Sequence, residues 1–357
     1  MNWSIGELVN LQKGVFIMGS VKDLIVIEKP LKNKTGRGRF IFSDRYSVFD
    51  WGEMPDLIPD KGKSLCISAA YFFEKLESMG IGTHYLGLVE DGQLKKLSEI
   101  KTPVDIMEVK LLRVLKPLKT ADGYDYSDYK KEDKNFLVPL EVIFRNSLPA
   151  GSSVFRRLKK GELELKELGL EKLPIPGENL EKPFIDVSTK LEESDRYMNW
   201  KEAKKITNFN DGQLNEISDI TTRVNKLITE EADRTGLKYE DGKIEFGLDV
   251  NKKLLMVDVL GTLDECRFTF KGMPISKEIA RLYYRKTNWY KELIDAKKND
   301  ELNWKEKVNL SPPPLPARLK ELISMAYCAF TNEITERVWL PKIPAMKKIL
   351  EEIISFI

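Results

Sequence analysis

The sequence predicts an α+β protein built as two lobes. Three observations carry that prediction. The N-terminal part breaks into short apolar runs separated by turn residues. Residues 238–260 read as a strand, an Asn-containing turn and a second strand. The segment 218–236 and the C-terminal stretches carry helical spacing instead. A chain of 357 residues is long enough for two packed domains.

Taken in order, residues 13–18, 24–28 and 39–43 are the first strands, with Gly19 to Asp23 and Gly36-Arg37-Gly38 as the turns between them. Residues 64–79 show helical spacing, with Leu65, Ala69, Phe72, Phe73 and Leu76 toward a core. Residues 104–115 read as a strand pair, and the polar stretch 117–135 as an exposed excursion. A strand resumes at Phe136, and Pro139 places it at a strand start or a sheet edge. This is the expected hinge, dividing a β-rich lobe (1–136) from an α+β lobe (137–340) and a helical tail (341–357). Residues 158–181 are charged and turn-rich. Residues 218–236 form an amphipathic helix with Gly236 as its C-cap. Residues 276–293, 317–338 and 345–357 are helical, with a rigid Ser311-Pro-Pro-Pro-Leu-Pro316 connector before the last two.

Composition narrows the chemistry. Lys and Arg number 58 and Asp and Glu 56, a net charge of +2 with the signs interspersed, so no global field draws the chain to nucleic acid. Cys66, Cys266 and Cys328 are isolated, which argues against a zinc site or a disulfide framework and for a reducing cytoplasm. No apolar run reaches membrane-span length, so no membrane partner is expected. His84 is the only histidine, which excludes a His dyad or a His-rich metal site. Carboxylates, lysines and arginines must carry the chemistry.

The hairpin is the sharpest candidate. With Asn251 and Lys252 as the two turn residues, Glu245 faces Asp258 directly, and Lys243 shares a face with Glu245. Opposed like charges destabilise a sheet, and Asp258 interrupts an apolar run where a carboxylate needs a partner. A divalent cation resolves both problems. Two carboxylates with few other ligands suit Mg²⁺, which keeps waters and takes phosphate oxygens. Elsewhere, Gly19 to Asp23 offers backbone amides and Lys22 to a phosphate. Arg145, followed by Gly151-Ser152-Ser153 and Arg156-Arg157, offers a guanidinium fork beside a possible helix start. Asp186 to Asp195 combines Lys190 with several acids, and Lys277, Arg281 and Arg285 recur along one helix side. Each of these segments alone also reads as an ordinary solvated loop or helix face.

Together and in order, they resemble the SAICAR synthetase (phosphoribosylaminoimidazole-succinocarboxamide synthase) family, from Gly19 to about Arg337. The family's Gly-Lys-Val-Lys/Arg-Asp turn is similar to Gly19 to Asp23, with Ser20 replacing its first Lys. Its Thr-Asp-Arg-Ile-Ser-Ala-Phe-Asp resembles Ser43 to Asp50, and its Ile-Pro-x-Lys-Gly resembles Ile58 to Gly62. Its Arg-x-x-x-x-Gly-Ser, Ser-Thr-Lys-x-Glu and Asp-x-Lys-x-Glu-Phe-Gly begin at Arg145, Ser188 and Asp241. Its second acidic motif resembles Asp258 to Phe268, with Val259, Leu263, Glu265 and Cys266 as departures, and its Pro-Pro-x-Leu-Pro is Pro312 to Pro316.

The resemblance implies a two-lobed α+β fold related to ATP-grasp and kinase-like nucleotide folds, with antiparallel sheets, flanking helices and ATP held between the lobes. It implies an ATP-dependent ligase that joins L-aspartate to the carboxylate of the ribonucleotide CAIR through an acyl phosphate, giving SAICAR, ADP and phosphate in purine biosynthesis. Gly19, Ser20, Lys22, Leu137, Glu245 and Asp258 would then hold ATP, with Glu245 and Asp258 on Mg²⁺ and Leu137 bounding the adenine. Arg145, Ser152, Asp241, Asp264, Arg267 and Arg281 would hold CAIR, with Lys243 beside it in the catalytic group. Lys190 and Asp195 would serve the nucleotide or aspartate, Asp195 as the base for the amine. A homo-oligomer is compatible with this reading. Two alternatives stay open at this stage: a ligase with the same chemistry but another amine, and a non-catalytic nucleotide-binding relative.

Overall fold

The computed structural model describes residues 9–11, 14–19, 21–275, 277–300 and 303–356. Ser20 lies outside them. Among these residues the strands build two principal antiparallel sheets. The first contains β1 (Val9–Leu11), β2 (Gly14–Ile17), β3 (Lys22–Glu28), β4 (Gly36–Phe42), β5 (Tyr85–Glu90), β6 (Gln93–Lys95) and β7 (Ile106–Leu111), in the order β1-β2-β3-β4-β7-β5-β6. Helix α1 (Lys61–Ser78) packs on it with Leu65, Ala69, Phe72, Phe73 and Leu76 buried, as their spacing dictates. The stretch 104–115 holds the single strand β7, whose partners β4 and β5 come from elsewhere in the chain, rather than a strand pair.

The excursion 117–135 is more ordered than its polarity suggests. It forms a small hairpin, β8 (Leu118–Thr120) with β9 (Gly123–Asp125), and a short helix α2 (Ser127–Lys131). Tyr126 and Tyr129 are buried against Phe136, Glu192 and the chain around them. Aromatic burial anchors a segment whose other residues are mostly polar.

The second sheet contains β10 (Phe136–Leu148), β11 (Glu178–Thr189), β12 (Tyr197–Met198), β13 (Lys238–Leu248), β14 (Leu254–Val257), β15 (Cys266–Phe270) and β16 (Met273–Pro274). Its order is β12-β11-β10-β13-β15-β16, and β14 pairs with the C-terminal half of β13. Strand β10 is therefore central, not an edge as Pro139 suggested. The proline is tolerated because the β10–β13 register shifts between Leu137 and Glu141, a bulge in which a missing N–H breaks no ladder bond. Helix α3 (Ser153–Lys160) follows β10 and covers a small satellite core of Leu148, Val154, Leu163, Leu168 and Leu180.

Helices α4 (Trp200–Thr207) and α5 (Asp211–Arg234) follow β12. Asn210 and Gln213 form a capping box at the start of α5, and Gly236 (φ 75°) follows its end. The expected helix 276–293 is two, α6 (Lys277–Tyr284) and α7 (Asn288–Asn299), because Thr287 caps the second. Helices α8 (Ala317–Ile334) and α9 (Met346–Phe356) close the chain, α8 against α1. One hydrophobic core runs continuously from the first sheet through α1 to the second sheet and α8. Among the described residues no helix is long and apolar enough to cross a membrane.

The loop from Asp258 to Glu265, after β14, lies over α1. Gly261 there has φ 71°, and a Cβ on it would penetrate the ring of Phe72. Gly261→Ala combines a left-handed backbone with overpacking and is expected to cost about 2–4 kcal/mol. A chemical-denaturation midpoint unchanged from the unsubstituted chain would refute that close approach.

Candidate active site

The site grows from β13. Successive side chains alternate along a strand, so Asp241, Lys243 and Glu245 form a row on one face. The register then decides what they meet. Asp249 Oδ1 accepts from the N–H groups of Asn251 and Lys253, both at 2.8 Å, and Lys252 takes φ 63°. The turn therefore spans 249–253 rather than two residues, and Glu245 pairs with Val257. The expected opposition of Glu245 and Asp258 is corrected by one position. The acid directly opposite Glu245 is Glu141 on β10.

Two lysines, Lys190 buried and Lys243 half-buried, resolve that repulsion. Lys243 Nζ lies 2.8 Å from Glu141 and 3.2 Å from Glu245, and Lys190 Nζ lies 2.5 Å from Glu245 and 3.7 Å from Glu141. Burial pushes the Glu141 carboxyl up, but neighbouring positive charges, Lys243 foremost and Lys190 among them, hold it below the ordinary value. Burial alone would lower the Lys190 ammonium, yet Glu245 and its neighbours raise it above the ordinary lysine value. Lys190 Nζ is buried with ion-pair partners but no aligned hydrogen bond.

Asp258 reaches the same cluster by another route. It sits just past β14, where continuing the strand would turn its side chain away from the face of Glu245 and Val257. Its backbone is left-handed instead, φ 63°, a conformation aspartate tolerates better than most residues. The carboxylate forms a buried ion pair with Lys22 on β3. Burial opposes its charge, but Lys22, Lys190 and Lys243 drive the carboxyl well below the usual range. Glu245 and Asp258 thus share their lysines without facing each other across a ladder.

Gly19 supports Lys22. Its N–H donates to Asp23 (3.2 Å), its carbonyl accepts from Arg45 (3.1 Å), and a Cβ would collide with the carbonyl of Lys22. Leu137, half-buried at the start of β10, has its backbone engaged: its N–H donates to Arg113 (2.8 Å) and its carbonyl accepts from Tyr129 (3.3 Å). Its side chain is what remains to meet a ligand. Asp195 is exposed beyond β11; desolvation and nearby Glu141 raise its carboxyl, which makes it more basic.

At the other end of the row, Arg145 of β10 and Arg267 of β15 flank Asp241. Arg267 donates to Asp241 through Nε (2.6 Å) and Nη2. Arg145 is buried and reaches Asp241 (3.3 Å), Ser152 (3.4 Å), Ser153 (3.2 Å), Asp186 (3.3 Å) and Tyr197 (3.3 Å). Ser152 also caps α3 by accepting from Val154 N–H. Arg157 pairs with Asp186 and stacks over Tyr197, 4.2 Å from the ring centre. Four residues expected together, Arg145, Ser152, Asp241 and Arg267, are brought together.

Asp264 and Arg281 sit in a neighbouring group. Asp264 accepts from Tyr327 (2.5 Å) and pairs with fully buried Lys61 (2.8 Å). Arg281 pairs with Glu278 (2.8 Å) and lies 5.9 Å from the Phe49 ring. Burial lowers the Lys277 ammonium despite Asp264 and Glu265 nearby. Glu265 lies 3.7 Å from Lys243 and connects this group to the row. A small cavity lined by Lys22, Val259, Thr262, Asp264 and Glu265 opens between them. A larger one, about 480 Å³ and lined by Ser43, Asp44, Arg45, Asp60, Lys63 and Asp105, lies by the 43–50 segment.

Glu141, Tyr197 and the pairing of Arg157 with Asp186 were not singled out from sequence. Glu141 carried the same signal as Asp258, a carboxylate interrupting an apolar strand. The donor set suits a hard cation: anionic carboxylates, no thiolate and no imidazole facing in. Among the described residues no three acidic, His or Cys side chains form a closed cage. A cation here would take its remaining ligands from water and bound phosphate, the habit of Mg²⁺.

Two sheets meeting at lysines and carboxylates, with an arginine pair at the far end and, among the described residues, no nucleophile–base pair in the cluster, define a class. It is an α+β protein whose site matches polyanions in charge. More particularly, the chain belongs to the SAICAR synthetase family, whose model matches residues 16–296. It is 50% identical over 340 residues to a putative phosphoribosylaminoimidazole-succinocarboxamide synthase of Archaeoglobus fulgidus, covering 95% of this chain and 100% of that one. Its fold is similar to that of the Saccharomyces cerevisiae SAICAR synthase complexed with SAICAR, with a TM-score of 0.62, 20% identity, and 94% and 99% of the two chains covered. It is also similar to a type-2 SAICAR synthetase in complex with ADP, with a TM-score of 0.53, 21% identity, and 84% and 100% covered.

Proposed function

We propose that the chain is an ATP-dependent ligase that joins L-aspartate to the carboxylate of CAIR, forming SAICAR, ADP and phosphate in purine biosynthesis. The observation that carries this reading is the row on β13, which links an arginine pair at Asp241 to a lysine-bridged acidic pair at Glu245. Membership of the family and the full-length relative supply the substrates.

Hydroxide is too poor a leaving group for direct amide formation from a carboxylate, so the carboxylate is first phosphorylated. Such transfer needs neutralised charge and alignment more than covalent help. Arg145 and Arg267, with Ser152 and Asp241, orient CAIR. Arg281 and Asp264 approach from α6 and the loop after β14. Lys243, already spanning Glu141 and Glu245, stabilises charge where the CAIR carboxylate meets the phosphoryl group. Lys22 and Lys190 turn from their carboxylates toward phosphate oxygens, Gly19 borders the phosphates, and Leu137 bounds the adenine. Glu245 and Asp258 are the carboxylates that would hold Mg²⁺, and the ion when bound would neutralise the phosphates further. Asp195, with its raised carboxyl, accepts the proton from the amine of aspartate.

The test is phosphate release measured with each substrate omitted in turn. Release is expected only when ATP, CAIR and L-aspartate are all present. Turnover indifferent to CAIR or to aspartate would overturn the reading. A panel of other amines in the same assay tests the choice of aspartate.

A further inference from the structure

We propose that His84, the only histidine of the chain, is a positioning residue: its ring N–H fixes the carbonyl of Asp258 and so sets the direction in which that carboxylate enters the cleft. The inference rests on the reading of Asp258 as a metal ligand. His84 Nε2 lies 3.0 Å from the Asp258 carbonyl oxygen. A carbonyl can only accept, so Nε2 carries the proton and donates.

The ring is held from several sides. His84 N–H donates to the carbonyl of Met256 (2.9 Å), and its own carbonyl accepts from Lys110 N–H (2.7 Å). Phe40 and Phe73 lie against the imidazole, with ring centres at 5.7 and 5.3 Å. The residue is 3% exposed. Burial pushes the ring pKa down to about 4, so it stays neutral at physiological pH.

Asp258 needs such a hold. Its left-handed backbone overrides the direction that the β13–β14 register would give its side chain. Among the described residues Lys22 pairs with the carboxylate and His84 holds the carbonyl. When bound phosphate draws Lys22 away, the contact from His84 remains. No proton transfer by the imidazole is required.

The experiment compares ADP binding with and without Mg²⁺ by titration calorimetry for the unsubstituted chain, His84→Phe, His84→Asn and His84→Gln. Phenylalanine keeps the ring and loses the donor. Asparagine is too short to reach the carbonyl, and serves if the phenylalanine variant does not fold. The glutamine amide can place an N–H near the position of Nε2. Loss of the donor is expected to weaken Mg·ADP binding about tenfold, with metal-free ADP and CAIR within about twofold and glutamine recovering most of the loss. A folded donorless variant that binds Mg·ADP as tightly as the unsubstituted chain would overturn the proposal. So would an equal loss in the glutamine variant, or an equal loss for metal-free ADP. If the unsubstituted chain gains no ADP affinity from Mg²⁺, the metal reading of Asp258 fails first and this inference falls with it.

Discussion

Replacing Glu245 by Gln is expected to lower kcat by about 10²–10³-fold, the usual effect of deleting one preorganised electrostatic group. The amide keeps the shape and can still accept from Lys243, so packing changes little. What disappears is the charge that faces Lys190 at 2.5 Å. Removing one partner of a buried pair can cost about 3–5 kcal/mol, but Glu141 stands 3.7 Å from the same ammonium and offsets part of that loss. The variant should therefore fold, with a lowered thermal midpoint, and bind CAIR normally while losing turnover. Steady-state kinetics at saturating Mg²⁺ decide the matter: near-normal kcat removes Glu245 from the metal and phosphate chemistry.

Arg267→Ala should act at the opposite end of the row. Its side chain is 30% exposed, and its guanidinium makes a two-pronged contact with Asp241. It can therefore be removed without leaving a cavity in the core. Losing a charge-assisted fork costs about 1.5–3 kcal/mol, which corresponds to a rise in KM for CAIR of roughly 10–100-fold. The KM for ATP should stay within about twofold, since the residues proposed for the nucleotide lie beyond Lys243. Lysine at this position should recover little, because a point charge does not reproduce the planar fork. Equal losses toward both substrates would move Arg267 to the nucleotide side.

Much of this arrangement was legible before any coordinates. Alternation along 241–245 placed Asp241, Lys243 and Glu245 on one face, because strand geometry leaves no freedom there. Helices α1 and α5 announced themselves through spacing and, for α5, a terminal glycine. The register of the hairpin was not legible, since one side chain, Asp249, lengthens its turn by satisfying two backbone amides. Pro139 misled because a bulge in a central strand makes a missing N–H harmless, and bulges leave little trace in sequence. The partners of Glu245 come from β10 and the end of β11, about a hundred and about fifty residues upstream, and no local pattern reports such pairings. The 117–135 segment looked exposed because two buried tyrosines are a weak signal among so many polar neighbours.

Strand β14 uses both of its edges. Toward β13 it completes the hairpin, while Met256 turns its own N–H to the carbonyl of Gly82 and takes the N–H of His84, both at 2.9 Å. The short ribbon is thereby stitched to the other half of the molecule at a point beside Asp258. The backbone two residues before Asp258 is thus anchored from both sides, and displacing it would break hydrogen bonds to β13 and to the chain at Gly82 and His84 together.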